Sequence, residues 1–474
     1  MEEEPAEMSL FEGDSAWSQN ATPRPDEHAA ILHAACGIYT RPDIVDTILD
    51  SVDWCPEKDL TDMRLLEPAC GDGAFVARAA DRLLRSFIAK RRPFRRADLA
   101  ERIRSYEIHP GEAARARGRL IPMLKGHGLS KSDAQAIVAE WVRTGDFLRD
   151  PLPAGHFTHV VGNPPYMRWS KLPACLRAEY EQVLPAETAR GDLFLPFLDR
   201  GIEALKVGGY LGFLCTDRWK YMGFAEGFRA IRLPQVDILQ DRPITPAEAY
   251  VEKASTYPSI VVMRRRRAPK KPVRRARKGL SLKQAGFEVR VGPALGCTEA
   301  FVLPIDHADE VEPELLRPWL SPSDVQDGSI RDASRVVICM YDNQGKLRDI
   351  ERFPKTKAWL SRHRHKLEQR SVVRKHGAVW YRPIDKVSGE TWKGPKLLVP
   401  ELSKTPRLAF DTSGAVPAHG LYSIEASDAD MELAELAAKL GDGYFAKEMS
   451  KLAPKASGGY VRCYKRFIEM LVVA

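Results

Sequence analysis

Four consecutive residues, Asn163, Pro164, Pro165 and Tyr166, leave an apolar run together in VVGNPPYMRW. The prolines fix the backbone and remove two amide donors, so a main-chain carbonyl can point into a site beside the Asn163 side chain. By themselves the same residues would also serve as a Pro-rich turn with a packing tyrosine. Upstream, LLEPACGDGAF (65–75) reads as a strand, a glycine turn and the start of a helix. Gly71 and Gly73 permit close backbone approach to a ligand, and the helix N-terminus beyond them can receive a carboxylate. Glu107, in SYEIHP, follows the next apolar run, where an acid at a strand end can accept hydrogen bonds from ribose hydroxyls. Asp146, in TGDFL, stands where a third strand should end; it can accept from an exocyclic amine while Phe147 covers an adenine ring. Each acid alone would read as a solvated loop residue. Three strand-end features in this order point instead to a nucleoside-bearing cofactor. No GK[ST] follows the glycines, which argues against a nucleoside triphosphate.

These side chains need a sheet to line them up. Strands are predicted over 64–68, 103–108, 158–165, 209–216 and 259–264, and helices over 74–91 and 192–206. In the second helix Leu193, Phe197, Leu198, Ile202 and Leu205 share one face, and Asp192 is placed to cap it. Strand–helix alternation of this length predicts a doubly wound, Rossmann-like α/β sheet. Residues 1–28 read as an acidic, disordered tail with structure starting near His28, and 29–263 as the α/β domain. Residues 264–278, RRRRAPKKPVRRARK, carry ten basic side chains and no acid, and a basic linker is expected over 264–283. Such a run suits a solvated loop or a polyanion contact, with membrane surfaces competing with nucleic acid for it. From 284 to 474 the pattern is irregular, with one clear helix over 428–440 stopped by Gly441, and a mixed α+β domain is expected.

Across 474 residues, 44% are hydrophobic, and 72 Lys and Arg against 64 Asp and Glu leave a net charge of +8. The chain can bury a sizeable core without staples. No run of about eighteen apolar residues occurs, so no spanning helix is expected. The N-terminus has the pattern of neither a signal peptide nor a mitochondrial presequence. Eight scattered cysteines form no C-x-x-C pair and no zinc-spaced cluster with histidine, so reduced thiols and no metal are expected.

Taken together, the motifs resemble those of the gamma-class, TaqI-type adenine-N6 DNA methyltransferases of restriction–modification systems, over almost the whole chain from about Gly37. GIYTRPDIVDTIL (37–49) resembles the segment before the cofactor loop, LLEPACGDGAF the cofactor motif, GDF the adenine-binding motif and NPPY the catalytic motif. AYVEKASTYPSIVVM (249–263) is similar to the closing hairpin of that family. GPALGCTEAFV (292–302), WYRPI (380–384) and SGGYVRCYKRF (457–467) are looser, collinear matches to its target-recognition region. The basic run at 264–278 is an insertion by comparison.

The resemblance implies S-adenosyl-L-methionine as cofactor. It would be held by Glu67, Pro68, Ala69, Cys70, Gly71 and Gly73, with Thr40, Phe75, Glu107, Ile108, Asp146, Phe147 and Asn163 nearby. It implies that Asn163, Pro164, Pro165 and Tyr166 act on an adenine amino group. Tyr250 would stack on the opposite face of the flipped base. Double-stranded DNA is the implied partner, recognised by residues 284–474 and bound by one copy of the chain in the bacterial cytoplasm or nucleoid, without membrane contact. With no nuclease motif in the sequence, any cognate endonuclease would be a separate chain. Other readings stay open at this point. NPPY-like motifs also serve cytosine-N4, protein-glutamine and rRNA amino-methyltransferases, and a non-enzymatic DNA-binding subunit could keep the fold.

Overall fold

The computed structural model describes residues 25–251, 258–269, 279–374, 377–388, 390–427, 431–455 and 459–473. The chain divides between residues 274 and 275 into two units. The first runs α1 (Pro25–Cys36), α2 (Pro42–Ser51), β1 (Leu65–Glu67), α3 (Ala74–Ala89), α4 (Arg96–Leu99), β2 (Ile103–Glu107), α5 (Pro110–Gly126), α6 (Lys131–Trp141), β3 (Val142–Thr144), β4 (Phe157–Gly162), α7 (Ala174–Val183), α8 (Phe194–Ala204), β5 (Leu205–Thr216), α9 (Glu226–Arg232), β6 (Val236–Pro243), α10 (Pro246–Ala249) and β7 (Pro258–Arg265). One seven-stranded sheet has the order β3-β2-β1-β4-β5-β7-β6. Strands β1 to β5 are parallel and β7 is antiparallel to both its neighbours. The central strands β1 and β4 are buried along their whole length, as parallel strands covered on both faces must be. α3 turns Phe75, Val76, Ala79, Ala80, Leu83, Leu84 and Phe87 inward at helical spacing. Strand order reverses between β1 and β4, and a crevice opens there at the carboxyl ends of the strands.

The expected strands are all present, with shifts that have local causes. β5 starts at Leu205 rather than 209, because a register shift against β4 absorbs Gly208, whose φ is +81°. β6 escaped the sequence reading. It is an edge strand with Ile238 and Leu239 exposed among charged neighbours, so it shows no alternation. α1 begins at Pro25, so 25–28 are helical rather than tail; proline's fixed φ suits a helix start. Asp192 does not cap α8: Leu193 occupies the cap position without a side-chain bond, and Asp192 is held by Arg218 at 2.8 Å instead. The basic run begins inside the sheet, not in a linker. Arg264 and Arg265 belong to β7, Arg265 donates to the carbonyls of Ile202, Glu203 and Leu205, and Arg266 to those of Val236 and the Asp237 carboxylate. Residues 270–278 of that run lie outside the described residues.

The second unit contains β8 (Phe287–Val291), β9 (Val302–Pro304), β10 (Leu316–Leu320), β11 (Arg335–Ile338), β12 (Lys396–Pro400), β13 (Leu402–Ser403), β14 (Ala409–Asp411), β15 (Val416–Pro417), β16 (Leu421–Ala426) and β17 (Val461–Arg462). They form two four-stranded sheets, β15-β10-β11-β9 and β14-β12-β16-β8, and the pair β13-β17, among short helices. This is the mixed α+β character expected. Leu282, at the end of the expected linker, is fully buried in this unit, where its N–H donates to the Leu471 carbonyl. The predicted helix 428–440 is shorter, Leu433–Leu440; residues 428–430 lie outside the described residues. Between β12 and β14, Lys396 and Asp411 face each other as a buried ion pair at 2.6 Å.

Candidate active site

Residues after β1 turn sharply, and the turn is fixed by its neighbours. The Cys70 N–H donates to the Tyr106 carbonyl at 2.9 Å, and the Gly71 N–H to Glu107 Oε2 at 2.8 Å. Glu107 Oε1 accepts from the His109 N–H, also at 2.8 Å. Gly71 and Gly73 have φ of +53° and +92°, which favours glycine at both. At Gly73 a Cβ would also come within 2.9 Å of the Ala116 Cα in α5, so the glycine sets the spacing of α5 against the turn.

A cleft opens over this turn, bounded by the ends of β1, β2, β3 and β4 and by α1. It holds about 900 Å³ of non-atom space, open solvent at its mouth included. Of the residues expected to hold a cofactor, Thr40, Glu67, Pro68, Ala69, Cys70 and Gly71 line it. So do Phe75, Glu107, Ile108, Asp146, Phe147 and Asn163, whereas Gly73 does not. Phe147 is 2% exposed, stacked on Phe197 with centroids 5.3 Å apart, with the Arg200 guanidinium 5.2 Å from its centroid.

The acids of the cleft are charged groups taken out of water. Burial raises the carboxyl of Glu67 well above its ordinary value, and the like charges of Glu107 and Asp72 add to this. Glu107 and Asp146 are also raised by burial, opposed at Glu107 by its two backbone donors. Glu67 Oε2, Asp146 Oδ2 and Asn163 Oδ1 are buried without a hydrogen-bond partner among the described residues. Unmatched buried acceptors are costly, and three around one cleft fit a ligand rich in hydroxyls and amines. Glu107 can still accept from ribose hydroxyls, because each carboxylate oxygen has a second lone pair. An S-adenosylmethionine nucleoside has donors of this kind.

The N-terminal wall was less visible in the sequence. His33, Cys36, Ile38 and Tyr39 line the cleft beside Thr40, although only the GIYT segment carried a signal. Tyr39 donates to the buried Glu112 at 3.1 Å, and burial together with Glu112 pushes its phenol up to about 12. Glu112 also pairs with Arg115 at 2.9 Å. His33, His109 and Glu112 place potential ligand atoms within 4.8 Å of one another. A cation there would compete with Arg115 for Glu112, and His109 Nδ1 already accepts the Glu112 N–H.

Asn163 follows β4 at the rim of the cleft. Its Nδ2 donates to the Ile38 carbonyl at 3.3 Å, which leaves Oδ1 as the open acceptor. Pro165 reaches the cleft, whereas Pro164, Tyr166 and Tyr250 do not. The Tyr166 hydroxyl donates to the Leu214 carbonyl of β5 at 2.7 Å, and burial raises its phenol far above the ordinary value. Tyr250, 2% exposed, is carried on a short bridge to Thr40. The rings of Tyr166 and Tyr250 do approach, with centroids 6.5 Å apart, but at 72°. They meet edge to face, not as the parallel pair that would bracket a base. A T-shaped contact is the preferred geometry of two rings with nothing between them.

A mainly parallel sheet of this order, with a glycine turn after its first strand and acids at the ends of the next two, is the fold of S-adenosylmethionine-dependent methyltransferases. The profile of the Eco57I restriction-modification methylase family matches residues 124–240, which include NPPY. Type II methyltransferase M.XhoI of Xanthomonas vasicola is 28% identical, over 95% of this chain and 91% of its own. M.PaeR7I of Pseudomonas aeruginosa, also a Type II methyltransferase, is 28% identical over 93% and 86%. Among solved structures, the Type IIL restriction-modification enzyme MmeI in complex with DNA shares the fold, with a TM-score of 0.55 at 12% identity. That likeness covers 87% of this chain and 63% of MmeI. The chain is a restriction–modification DNA methyltransferase, and S-adenosyl-L-methionine is its cofactor. Among the described residues no helix is long and apolar enough to cross a membrane.

Proposed function

We propose that the chain methylates the N6 amino group of an adenine flipped out of duplex DNA. The observation that carries this reading is Asn163 Oδ1, a buried acceptor without a partner at the rim of the cofactor cleft. An adenine amino group is a weak nucleophile because its lone pair is delocalised into the ring. If Asn163 Oδ1 and the Pro164 carbonyl accept its two N–H bonds, the nitrogen is biased towards tetrahedral geometry and its lone pair becomes available. The cofactor supplies a methyl group on a positively charged sulfur. No strong base is required first, since the amino proton can leave after the transfer. The residues act by positioning and electrostatics. Tyr166, anchored on Leu214, would stack on the base and favour its developing positive charge. A stacked, paired base cannot reach the methyl donor, so flipping is part of the reading.

Residues 284–474 are proposed to read the target sequence. Arg267 and the basic side chains of 270–278 are proposed to contact phosphates without sequence preference. The enzyme acts as a single copy in the bacterial cytoplasm, and any cognate endonuclease is a separate chain. The test is to incubate plasmid DNA with the protein and S-adenosylmethionine, digest it to nucleosides and identify the product by mass spectrometry. N6-methyladenine is expected. N4-methylcytosine would replace the adenine reading, and label on protein or RNA alone would refute a DNA substrate.

A further inference from the structure

Beyond NPPY the chain builds a second, open cleft on the same edge of the sheet. Residues 167–169 pair with 191–193: the Trp169 N–H donates to the Gly191 carbonyl and the Leu193 N–H to that of Met167, each at 2.8 Å. The pairing brings Arg168, Trp169, Arg177, Asp192, Arg218 and Phe224 around one depression. Asp192 is 5% exposed and lies 2.8 Å from Arg218 Nη1. The Arg218 guanidinium also packs 5.6 Å from the centre of the Phe224 ring. Phe224 in turn lies against Gly191, whose φ is +74° and where any Cβ would collide with the ring. Arg218 is therefore held between a carboxylate and an aromatic face. Its Nε and Nη2 make no hydrogen bond among the described residues, and neither do the side chains of Arg168 and Arg177.

A guanidinium fixed in this way, with one edge of its fork open, matches the paired oxygens of a phosphodiester. Fixing it in advance lowers the cost of ordering a long side chain on binding. The position also fits. Arg168 lies two residues beyond Tyr166, and Arg218 two residues beyond the end of β5, the strand whose Leu214 carbonyl holds the Tyr166 hydroxyl. We propose that this cleft is a phosphate clamp, in which Arg218, oriented by Asp192 and assisted by Arg168 and Arg177, grips one backbone phosphate next to the flipped nucleotide. The clamp rests on the DNA reading above. It adds that one linkage of the target strand, not the general basic surface, positions the nucleotide for transfer.

The test uses full-length protein, S-adenosylmethionine and a short duplex carrying the sequence that the wild type methylates. Single neutral methylphosphonate linkages are placed in turn around the target nucleotide. For Arg218→Gln the KM for DNA should rise on the order of tenfold, the loss of one charge-assisted contact. The log–log salt slope of binding should shrink by about one, and cofactor affinity should be unchanged. At one linkage the methylphosphonate should weaken the wild type by a similar factor and add nothing to the Arg218→Gln loss. Arg218→Lys should recover only part of the affinity, because it keeps the charge and loses the fork. If every linkage penalises wild type and variant equally, no single phosphate is gripped and the clamp is wrong. If Arg218→Gln lowers the melting temperature, Arg168→Gln decides, and an unchanged KM and salt slope there would equally overturn the clamp. A wild type that methylates no DNA would defeat the parent reading, a result distinct from either.

Discussion

The two ends of the catalytic edge are finished to different degrees. Around Gly71 the backbone donors already have partners, since Glu107 accepts from both Gly71 and His109 and the glycines hold their turn. What remains open there are acceptors, Glu67 Oε2 and Asp146 Oδ2, on a rigid frame. Around NPPY the frame is equally fixed, by Asn163 on Ile38 and Tyr166 on Leu214, but the rings of Tyr166 and Tyr250 pack directly on each other, edge to face. The difference teaches that the cofactor cleft is preformed, whereas on the proposed reading a flipped base would have to part the two rings.

Four substitutions would break or sharpen that contrast. The largest effect is expected from Asn163→Ala. It should lower the single-turnover methyl-transfer rate by about 10²–10³-fold, the cost of one well-placed electrostatic contact, with calorimetry showing little change in cofactor affinity. A comparable loss of affinity would mean that the two ends are not separate. Next, Glu107→Gln should weaken S-adenosylmethionine binding by about 1.5–3 kcal/mol through loss of charged hydrogen bonds. Unchanged affinity would remove Glu107 from the site. Tyr250→Ala should cost about 1–3 kcal/mol of flipped-state stability. The readout is a 2-aminopurine at the target position, bright with wild type and dimmer with the variant; equal brightness and equal rate would show that Tyr250 is not the partner ring.

The smallest effect concerns pH. Glu67 has a folded-state carboxyl raised well above the ordinary 4.5, so the native protein binds more protons than the unfolded chain. Stability without cofactor should therefore fall as pH rises from about 4.5 through the raised value. Glu67→Gln should flatten that decline in a series of melting curves, and an unaltered slope would show that the acid is already compensated.

Much of the cofactor side could be read from sequence, because it depends on residue types with few substitutes. Glycines at positive φ and acids at or just past the carboxyl ends of strands leave a pattern in the chain order itself. His33 and Cys36 were less legible because α1 supplies them from a stretch that precedes GIYT, the only clear signal there. The relative tilt of Tyr166 and Tyr250 was not legible at all, since ring orientation depends on packing and not on spacing. Asp192 illustrates the same limit. In the chain it has the look of a helix cap, and only the fold puts Arg218 beside it. β6 was missed because an exposed edge strand has no buried face to impose alternation.

The arginines that begin the basic run have a practical consequence for anyone exchanging the second unit to test its proposed role in target recognition. Arg265 ties the last strand to carbonyls at the end of α8, Arg266 ties it to the start of β6, and Arg264 lies over the Tyr210 ring. A splice placed before Arg264, where the charge run suggests a boundary, would replace side chains that belong to the donor sheet. The junction belongs after Arg266, so that the grafted piece inherits none of the sheet's own fastenings.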